Sequence, residues 1–422
     1  MSRGPVDELA APVNEVAAPV DEPPWLSVVG IGDDGLDSLG TAARALIEGG
    51  DVLFGGERHL SMVTDHPGVR RAWQRPLSKS LDEIERMRGR NVVVLASGDP
   101  MCHGVGAMLA RRFPAEEIRV LPAVSAFSLA CARLGWPLQE VEALSLHSRP
   151  PSTLRRYLQP GARLVTLTRD GETPHLVASL LVEAGYGSSR IHVFEHLGGA
   201  RERRIETSAE NWIARDIAPL NTVAIECVAN SSTPIHPPVP GLLDSAFESD
   251  GMLTKREIRA ITLARLMPLS GQRLWDVGAG SGSVAIEWLR SARHGRAIAI
   301  ERDPARALRA SANAEALGTA ELQVIEAEAP ACFERLEAPD AIFIGGGITA
   351  PGMLSEAWNR LSPGGRLVAN VVTLDGERRL LDWQAEHGGD LTRLAISRAE
   401  KVGPYQGWRP AMPVTQYAGV KP

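Results

Sequence analysis

The chain has little cysteine. Four cysteines occur in 422 residues, and no pair of them has the spacing of metal ligands. Cys102, Cys131, Cys227 and Cys332 each stand among apolar or small residues, which is typical of reduced thiols in the core of a cytoplasmic protein. We therefore expect neither a disulfide framework nor a bound metal ion.

The chain also lacks an excess of basic residues and a long apolar run. Its formal net charge of -6 argues against a nucleic-acid-binding protein that relies on a general basic surface. No apolar run reaches the length of a membrane span, and the N-terminus lacks the basic-then-apolar order of a secretion signal. These absences favour a cytoplasmic protein without nucleic-acid or membrane partners.

Two stretches divide the chain. Residues 1–24 carry an imperfect repeat, PVDELAA, PVNEVAA and PVDEPP, whose prolines break a helix, so we predict a disordered Ala/Pro extension. Residues 229–243, ANSSTPIHPPVPGLL, are rich in proline and lack periodicity, which predicts a linker. At 422 residues the chain is long enough for two domains, which we place at 25–228 and 244–422.

The most informative stretch is Arg273 to Asp303, RLWDVGAGSGSVAIEWLRSARHGRAIAIERD. An apolar run leads into a glycine loop, an amphipathic segment follows, and a second apolar run ends on Glu301. This order predicts strand, tight loop, helix and strand, the first βαβ unit of a doubly wound parallel sheet. Glycines let the loop backbone approach a nucleoside, and an acid about 20 residues further on can bind both ribose hydroxyls.

The loop spacing favours S-adenosylmethionine over a dinucleotide. Dinucleotide enzymes use G-x-G-x-x-G to hold a pyrophosphate, whereas here the third glycine comes one residue early. Asp276 would repel a phosphate and attract an ammonium group, although a structural role accepting loop N–H groups is the alternative. The predicted cofactor residues of this loop are Asp276, Gly278, Ala279, Gly280, Ser281, Gly282, Ser283 and Glu301. The alternative is a glycine-rich turn without a ligand, which is disfavoured because the strand, the loop and the acid occur together.

The N-terminal half contains three apolar strands that each end in a glycine loop. Leu26 to Ile31, Val52 to Phe54 and Val92 to Ala96 are β-prone, which predicts a parallel sheet with a ligand crevice at the strand carboxyl ends. For Asp99 a turn-forming role is the alternative to a ligand contact.

Several segments of this half together resemble the tetrapyrrole (precorrin) methylases of vitamin B12 synthesis. They are VVGIG, VLFGGERHL, VVVLASGDPMCHGVG, LPAVSAFSLACARLGWP and LSLHSRP. The resemblance implies two αβα lobes (a class III methyltransferase fold) with S-adenosylmethionine in the cleft between them. The cofactor contacts it implies are Gly30, Gly32, Ser97, Gly98, Asp99, Ser125 and Ala126. The first loop departs from the family's G-x-G-P-G because Asp33 and Asp34 precede Gly35.

The C-terminal half resembles decarboxylating precorrin methyltransferase domains. The matching segments are TKREIRA, LWDVGAGSGSVAIE, FIGGG and NVVTLDGE, in the order of a Rossmann-like class I methyltransferase. The fold class expected for the whole chain is therefore α/β, with a two-lobed tetrapyrrole methylase domain followed by a class I domain. In such folds the acid of the second strand binds the ribose and the loop after the third reaches the adenine. The further cofactor contacts this implies are Arg302, Glu328, Ala329 and Gly345.

Together the two resemblances imply methylation of precorrin-6B at C5 and C15, with loss of CO2 from the ring-C acetate, to give precorrin-8. They imply one S-adenosylmethionine per domain, and we expect a homo-oligomer. The meso carbons of a reduced tetrapyrrole are enamine-like, so alignment behind the S–CH3 bond supplies much of the catalysis. Decarboxylation needs a carboxylate held in a poorly solvated position.

A substrate with many carboxylates calls for cationic partners. The predicted substrate-binding residues are Thr254, Lys255, Arg256, Gly346, Gly347, Asn370, Tyr405 and Arg409, with Arg259, Lys401 and Trp408 as further candidates. For each cation a solvated surface role is the alternative, and for Asn370 the alternative is closing a turn. We expect catalytic roles for Lys255, Asn370 and Asp99. Thr254 and Glu257 also predict a capping box at a helix start.

Three alternative functions are compatible with these patterns. The N-terminal domain can be a degenerate module that only binds the tetrapyrrole. The whole chain can be a binding protein that delivers an unstable intermediate between enzymes. A methyltransferase for RNA or another small molecule is the third, since class I folds serve many substrates, although the acidic charge disfavours RNA.

Overall fold

The structure is a computed structural model that describes residues 24–213 and 215–422. The predicted N-terminal extension, 1–24, lies outside the described residues except for its last residue. The chain forms two compact units. The first unit contains the described residues up to Leu138 together with Phe194–Arg204 and Leu220–Thr222. The second contains Gln139–Val193, Ile205–Pro219 and Val223–Pro422.

A five-stranded sheet in the order β3-β2-β4-β1-β5 forms the centre of the first unit. Its elements are β1 (Leu26–Ile31), α1 (Thr41–Glu48), β2 (Val52–Gly55), α2 (Glu57–Leu60), β3 (Val69–Ala72), α3 (Ser78–Glu85), β4 (Val92–Ser97), α4 (Val105–Arg112), β5 (Ile118–Leu121) and α5 (Ala126–Leu134). Every residue of β1 is buried, which is expected for a parallel strand covered on both faces. Ile31 pairs with Ser97, so the loops after β1 and β4 leave the sheet at the same level.

A second five-stranded sheet has the order β6-β7-β10-β8-β9. It consists of β6 (Val141–Ser145), β7 (Arg163–Leu167), α6 (Thr173–Glu183), β8 (Arg190–Glu195), β9 (Arg203–Ser208) and β10 (Asn221–Glu226). Strands β6 and β7 are parallel. One apolar cluster, which includes Leu164, Leu181, Ile191 and Val223, packs around this sheet.

The third sheet has seven strands in the order β13-β12-β11-β14-β15-β19-β16. Its region contains α7 (Arg256–Leu266), β11 (Arg273–Val277), α8 (Ser283–Ser291), β12 (Arg296–Glu301), α9 (Pro304–Ala316), β13 (Gln323–Glu326), β14 (Ala341–Ile344), α10 (Met353–Arg360), β15 (Arg366–Val371), α11 (Leu374–His387), β16 (Asp390–Leu394), β17 (Ser397–Val402), β18 (Tyr405–Pro410) and β19 (Val414–Val420). Strand β11 is flanked by parallel β12 and β14, while β19 runs antiparallel to β15. Apolar clusters cover both faces of this sheet. This is the doubly wound order that the sequence predicted for the C-terminal domain.

The predicted linker, 229–243, is hydrogen-bonded to α8. Arg290 donates to the carbonyl oxygen of His236 at 2.6 Å, and Glu287 accepts from the backbone N–H groups of Gly241 and Leu242 at 2.6 and 3.0 Å. The end of this segment therefore packs as part of the second unit.

The predicted capping box was wrong. Helix α7 begins at Arg256, its N-cap residue is Lys255, and no side chain caps it. The carbonyl oxygen of Thr254 instead accepts from the buried Arg259 at 2.5 Å, and Glu257 pairs with Arg398. Glu257 is thus engaged by an arginine 141 positions away, a long-range contact that the local spacing did not predict.

Candidate functional site

The glycine loop after β11 has a backbone that only glycine adopts without strain. Gly278, Gly280 and Gly282 have φ angles of +69°, +57° and +74°. A Cβ added at Gly278 would lie 2.8 Å from the backbone nitrogen of Gly346. The loop therefore lies directly against the Gly345–Gly347 segment, and these two predicted ligand-binding stretches are brought together.

Glu301 is fixed against this loop. One carboxylate oxygen accepts from the Gly280 N–H at 2.8 Å, and the other accepts from the Asp303 N–H at 3.0 Å. The residue is 6% exposed. The carboxylate is thus held in one orientation at the carboxyl end of β12, beside the loop, where each oxygen keeps lone-pair capacity for a ligand.

Asp276 is buried below the loop. One oxygen accepts from the Ala285 N–H in the first turns of α8 at 3.0 Å, while the other, Oδ1, has no partner among the described residues. Burial raises the pKa of Asp276 to about 7, opposed by the Ala285 hydrogen bond and reinforced by the negative charge of Glu301. The N–H group that donates to Asp276 belongs to the helix and not to the loop.

The other predicted cofactor residues of this domain differ in exposure. Ser281 and Ser283 are buried, and the Ser281 hydroxyl has no partner among the described residues. Arg302, Glu328 and Gly345 are exposed, and Ala329 is half-buried. The Ala327 N–H donates to the Glu301 carbonyl oxygen at 3.0 Å, which ties the start of the loop after β13 to the end of β12. Glu328 and Ala329 follow directly.

Asn370, at the end of β15, belongs to a polar group with Thr262 and Gln416. Its amide nitrogen donates to the Thr262 hydroxyl at 2.9 Å, and its carbonyl oxygen accepts from Gln416 at 2.8 Å. Gln416 also donates to Thr262 at 3.1 Å. These bonds use the Asn370 oxygen and one of its two N–H groups, so the half-buried amide offers a donor to a ligand.

The candidate cations occupy different environments. Lys255 and Arg256 are exposed at the start of α7, with Arg256 donating to the Gly241 carbonyl oxygen at 2.8 Å. Arg259 is fully buried and pairs with Glu287 at 2.6 Å and Asp244 at 3.2 Å. Arg259 therefore stabilises the interior of the domain, and the prediction that it is a substrate-binding candidate was wrong.

Tyr405, Trp408 and Arg409 lie on the exposed β17–β18 hairpin. Tyr405 and Trp408 are 76% and 77% exposed, and Arg409 pairs with Glu400 at 3.0 Å. Lys401 is exposed on the same hairpin. Arg398, near its base, pairs with Glu257, which joins the hairpin to the start of α7 beside Lys255 and Arg256.

The first unit has its own pocket at the carboxyl ends of β1 and β4. It is lined by Ile31, Gly32, Asp33, Arg58, Ser97, Gly98, Val124, Ala126, Leu129, Phe194, Leu197, Leu220, Asn221 and Thr222. Four of the predicted cofactor residues, Gly32, Ser97, Gly98 and Ala126, are among them. Asp33 and Arg58 were not predicted as site residues, although Asp33 stands where the sequence departs from G-x-G-P-G and Arg58 follows a predicted strand end.

Three predicted residues of the first unit have local structural contacts. A Cβ at Gly30 would lie 2.0 Å from the Gly98 carbonyl oxygen, so this glycine is required by its neighbouring strand. Asp99 accepts from the Met101 N–H at 2.9 Å, which is the turn-forming alternative. Ser125 is the N-cap of α5 and accepts from the Ser128 N–H.

No group of three or more His, Cys, Asp or Glu in the described residues has the arrangement of a metal site. All four cysteines are unpaired, with Cys131 and Cys227 buried. In the same part of the chain, no helix has the length and apolar character needed to span a membrane.

Two protein families match the chain. Residues 26–212 match the Tetrapyrrole (Corrin/Porphyrin) Methylases, and residues 245–421 match the Precorrin methyltransferase domain. The boundary between the two matches falls in the region of the predicted linker.

Curated relatives match either the whole chain or part of it. A precorrin-6Y C(5,15)-methyltransferase [decarboxylating] from Sinorhizobium sp is 49% identical over 399 residues, covering 94% of this chain and 97% of the relative. A cobalt-precorrin-7 C(5)-methyltransferase from Salmonella typhimurium is 33% identical, covering 42% of this chain and 88% of the relative. A probable cobalt-precorrin-6B C(15)-methyltransferase (decarboxylating) from Pyrobaculum calidifontis is 32% identical, covering 42% of this chain and 96% of the relative. The chain belongs to the family of decarboxylating precorrin-6Y C(5,15)-methyltransferases.

Proposed function

We propose that the chain methylates precorrin-6B at C5 and C15 and removes CO2 from the ring-C acetate, giving precorrin-8 in cobalamin biosynthesis. The C-terminal domain performs C15 methylation and decarboxylation, and the N-terminal domain performs C5 methylation. The relative aligned over 94% of the chain supports the combined activity. The two shorter relatives, named for C5 and for C15 methylation, support one activity for each domain.

The observation that carries the proposal is the hydrogen bond between Glu301 and the glycine loop. A carboxylate fixed at 2.8 Å from the Gly280 nitrogen, beside a loop without side chains at 278, 280 and 282, fits a ribose diol and its nucleoside. The unpaired oxygen of the buried Asp276 fits an ammonium group. These residues suit S-adenosylmethionine, which supplies an electrophilic methyl group on a sulfonium sulfur.

A second S-adenosylmethionine binds in the first-unit pocket under this proposal. Gly32, Ser97, Gly98 and Ala126 line it, and the nearby strand ends provide backbone groups without bulky side chains. Gly98 is half-buried after β4 with φ of +54°, and its missing side chain leaves the backbone there accessible to a ligand. One cofactor per domain follows from this assignment.

The residues around Asn370 support binding of an anionic substrate. Gln416 occupies the carbonyl oxygen of Asn370, so the side chain presents an N–H donor, which suits a carboxylate. Lys255 and Arg256 add positive charge at the start of α7. In this assignment, these groups orient the acetate that is lost, and the positioning of the meso carbon behind the methyl group provides much of the rate. The proposal further places the enzyme in the cytoplasm as a homo-oligomer.

The test uses the purified full chain with precorrin-6B and methyl-labelled S-adenosylmethionine. We expect two labelled methyl groups in the product and one CO2 released per tetrapyrrole. A single methyl group with CO2 would assign a non-catalytic role to the N-terminal domain. Absence of any transfer would support a carrier protein and reject the enzyme assignment.

Calorimetry of the same protein measures the number of nucleoside sites independently of turnover. We expect two equivalents of S-adenosylhomocysteine per chain. One equivalent would reject the two-site proposal even if methylation occurs.

A further inference from the structure

Four polar side chains from separate segments meet at the first-unit pocket. Asp33 follows β1, Arg58 lies on α2 after β2, Ser97 ends β4, and His196 follows β8. Asp33, Arg58 and Ser97 line the pocket, as do Phe194 and Leu197 on either side of His196. We call these four residues the polar cluster.

Asp33 is oriented by two partners within the cluster. Its Oδ1 accepts from Arg58 at 3.0 Å, and its Oδ2 accepts from the Nδ1 of His196 at 3.0 Å. The carboxylate is 8% exposed. Gly199 makes this position possible, because a Cβ there would lie 2.5 Å from Asp33 Oδ2. Both oxygens are therefore already occupied by protein donors.

Arg58 retains donors that the cluster does not use. One terminal nitrogen donates to Asp33, and the other donates to the Ser97 hydroxyl and the His59 ring, both at 2.9 Å. A guanidinium has five N–H groups, and in the described residues these contacts leave the Nε–H and one N–H of the Asp33-bound nitrogen without a partner. The side chain is 33% exposed and lines the pocket, so a ligand in the pocket can reach the guanidinium.

His59 contributes no competing positive charge. Its pKa is lowered to about 4, chiefly by burial and further by the Arg58 charge, while the Asp33 charge acts in the opposite direction. Its ring is therefore neutral near pH 7 and accepts a hydrogen bond from Arg58. Asp33 and Ser97 already fix the guanidinium plane of Arg58. Binding of a ligand carboxylate therefore costs little side-chain entropy.

We propose that Arg58 is a carboxylate-binding residue of the N-terminal site, held in place by Asp33 and Ser97. The inference rests on the proposed function, which places both an amino-acid-bearing methyl donor and a polyacidic tetrapyrrole at this site. The carboxylate belongs either to the donor or to a side chain of the tetrapyrrole. The same guanidinium chemistry serves both, and two experimental arms separate them.

The test compares Arg58→Met and Arg58→Lys in the full chain, with Arg111→Met as the matched control. Arg111 is an exposed arginine on α4 that does not line the pocket. The first arm titrates S-adenosylhomocysteine and 5′-methylthioadenosine, which lacks the amino-acid end. The second arm measures KM and kcat for C5 methylation.

If the donor carboxylate binds Arg58, Arg58→Met weakens S-adenosylhomocysteine at one site about 10-fold or more and leaves methylthioadenosine unchanged. If a tetrapyrrole carboxylate binds it, donor affinity is kept and KM for C5 methylation rises about 10-fold or more. In either case we expect Arg58→Lys to recover part of the loss, because it keeps the charge but not the fork geometry.

In Arg58→Met the Asp33 carboxylate loses its charged partner, which could itself weaken binding. The double variant Asp33→Asn/Arg58→Met controls for this, because it removes the Asp33 charge as well. We expect it to reproduce the loss seen in Arg58→Met. The proposal is overturned if folded Arg58→Met, or the folded double variant, stays within about twofold of Arg111→Met in both arms. If the wild-type chain binds only one nucleoside, the two-site function is rejected. The Arg58 proposal is decided separately, by comparing the Arg58 variants with Arg111→Met.

Discussion

Arg259 and Arg58 each pair with a carboxylate, but in opposite environments. Arg259 is fully buried, and its guanidinium is bonded to Glu287, Asp244 and two backbone carbonyl oxygens. Arg58 is one-third exposed at a pocket and keeps unused donors. A buried arginine whose donors are engaged by the protein stabilises the fold, whereas an exposed one with spare donors is available for recognition.

The two candidate sites differ in the same way. In the C-terminal domain the proposed ligand surface is mainly backbone, formed by the glycine loop and held by the hydrogen bond to Glu301. In the first-unit pocket, charged side chains from separate segments take part in the wall. Substitutions in the glycine loop should therefore act through backbone geometry, whereas substitutions in the polar cluster should act through individual charges.

The largest expected effect is on stability, from Arg259→Met. Removing this cation leaves Glu287, which is 1% exposed, without its charged partner, and breaking a buried pair in this way costs about 3 to 5 kcal/mol. Urea unfolding followed by tryptophan fluorescence measures the loss. The control is Arg265→Met on the same helix, whose partner Asp390 is 71% exposed and whose loss should cost under about 1 kcal/mol. If both variants lost the same unfolding free energy, the buried Arg259 would stabilise the fold no more than the exposed Arg265.

Gly278→Ala should have the next largest effect, on C15 methylation and CO2 release. The new Cβ meets the backbone of Gly346, which cannot move aside like a flexible side chain, at a φ of +69°. We expect about a 100-fold decrease in CO2 release, since small misplacements in a site carry large rate penalties. Gly271→Ala is the control, because Gly271 has φ of +77° with no atom within 4 Å of the added Cβ. If both variants lose activity equally, the loss comes from backbone strain and not from the contact between the new Cβ and the backbone of Gly346.

Glu301→Gln should weaken nucleoside binding in the C-terminal domain by about 10-fold, because hydrogen bonds to a charged group contribute about 1.5 to 3 kcal/mol. The amide also turns an NH2 toward one of the two backbone donors that the carboxylate accepts from, Gly280 or Asp303. Two-site calorimetry measures the change. Glu326→Gln serves as the control, since Glu326 is the exposed register partner of Glu301 at the end of β13. An unchanged affinity in Glu301→Gln would reject Glu301 as a ribose ligand.

The C-terminal loop could be predicted from sequence because its parts are contiguous. Strand, glycines, helix and acid follow one another between Arg273 and Asp303, and β-strand geometry places Glu301 next to the loop once β11 and β12 pair in parallel. The order of the strands up to Asn370 was also readable from apolar runs. The elements after Asn370, including α11 and the β17–β18 hairpin, were not predicted. Every residue of β17 is exposed, so this strand lacks the apolar run from which the earlier strands were predicted.

The polar cluster could not be predicted in this way. Asp33 and His196 are 163 positions apart, and no local pattern links them. The burial of Arg259 was equally hidden, since its partner Glu287 lies 28 positions away and an arginine at a helix start resembles a solvated cation. Side-chain pairs between distant segments depend on the packed fold, which spacing within one segment does not encode.

The most gradual expected effect is a pH dependence from Asp276, because it accumulates over about two pH units. Its pKa of about 7 in the folded protein lies above the ordinary value near 4, because burial disfavours the charged form. Between these values the folded state holds a proton that the unfolded state releases, so rising pH favours unfolding. Relative to Asp276→Asn, the wild-type protein should lose up to about 1.4 kcal/mol of unfolding free energy per pH unit between pH 5 and 7.

Urea unfolding of both proteins at pH 5, 6, 7 and 8 measures this difference, and taking wild type minus variant removes the titration of all other groups. Above pH 7 the difference should level off, because both states are then ionised. Asparagine keeps the oxygen that accepts from Ala285, so the variant should fold. A difference that stays constant from pH 5 to 8 would mean that Asp276 is ionised throughout, as a carboxylate whose second oxygen had gained a donor would be. Such a result would show that the C-terminal site carries a buried negative charge before any ligand binds, which would make it more similar to the charged wall of the first-unit pocket.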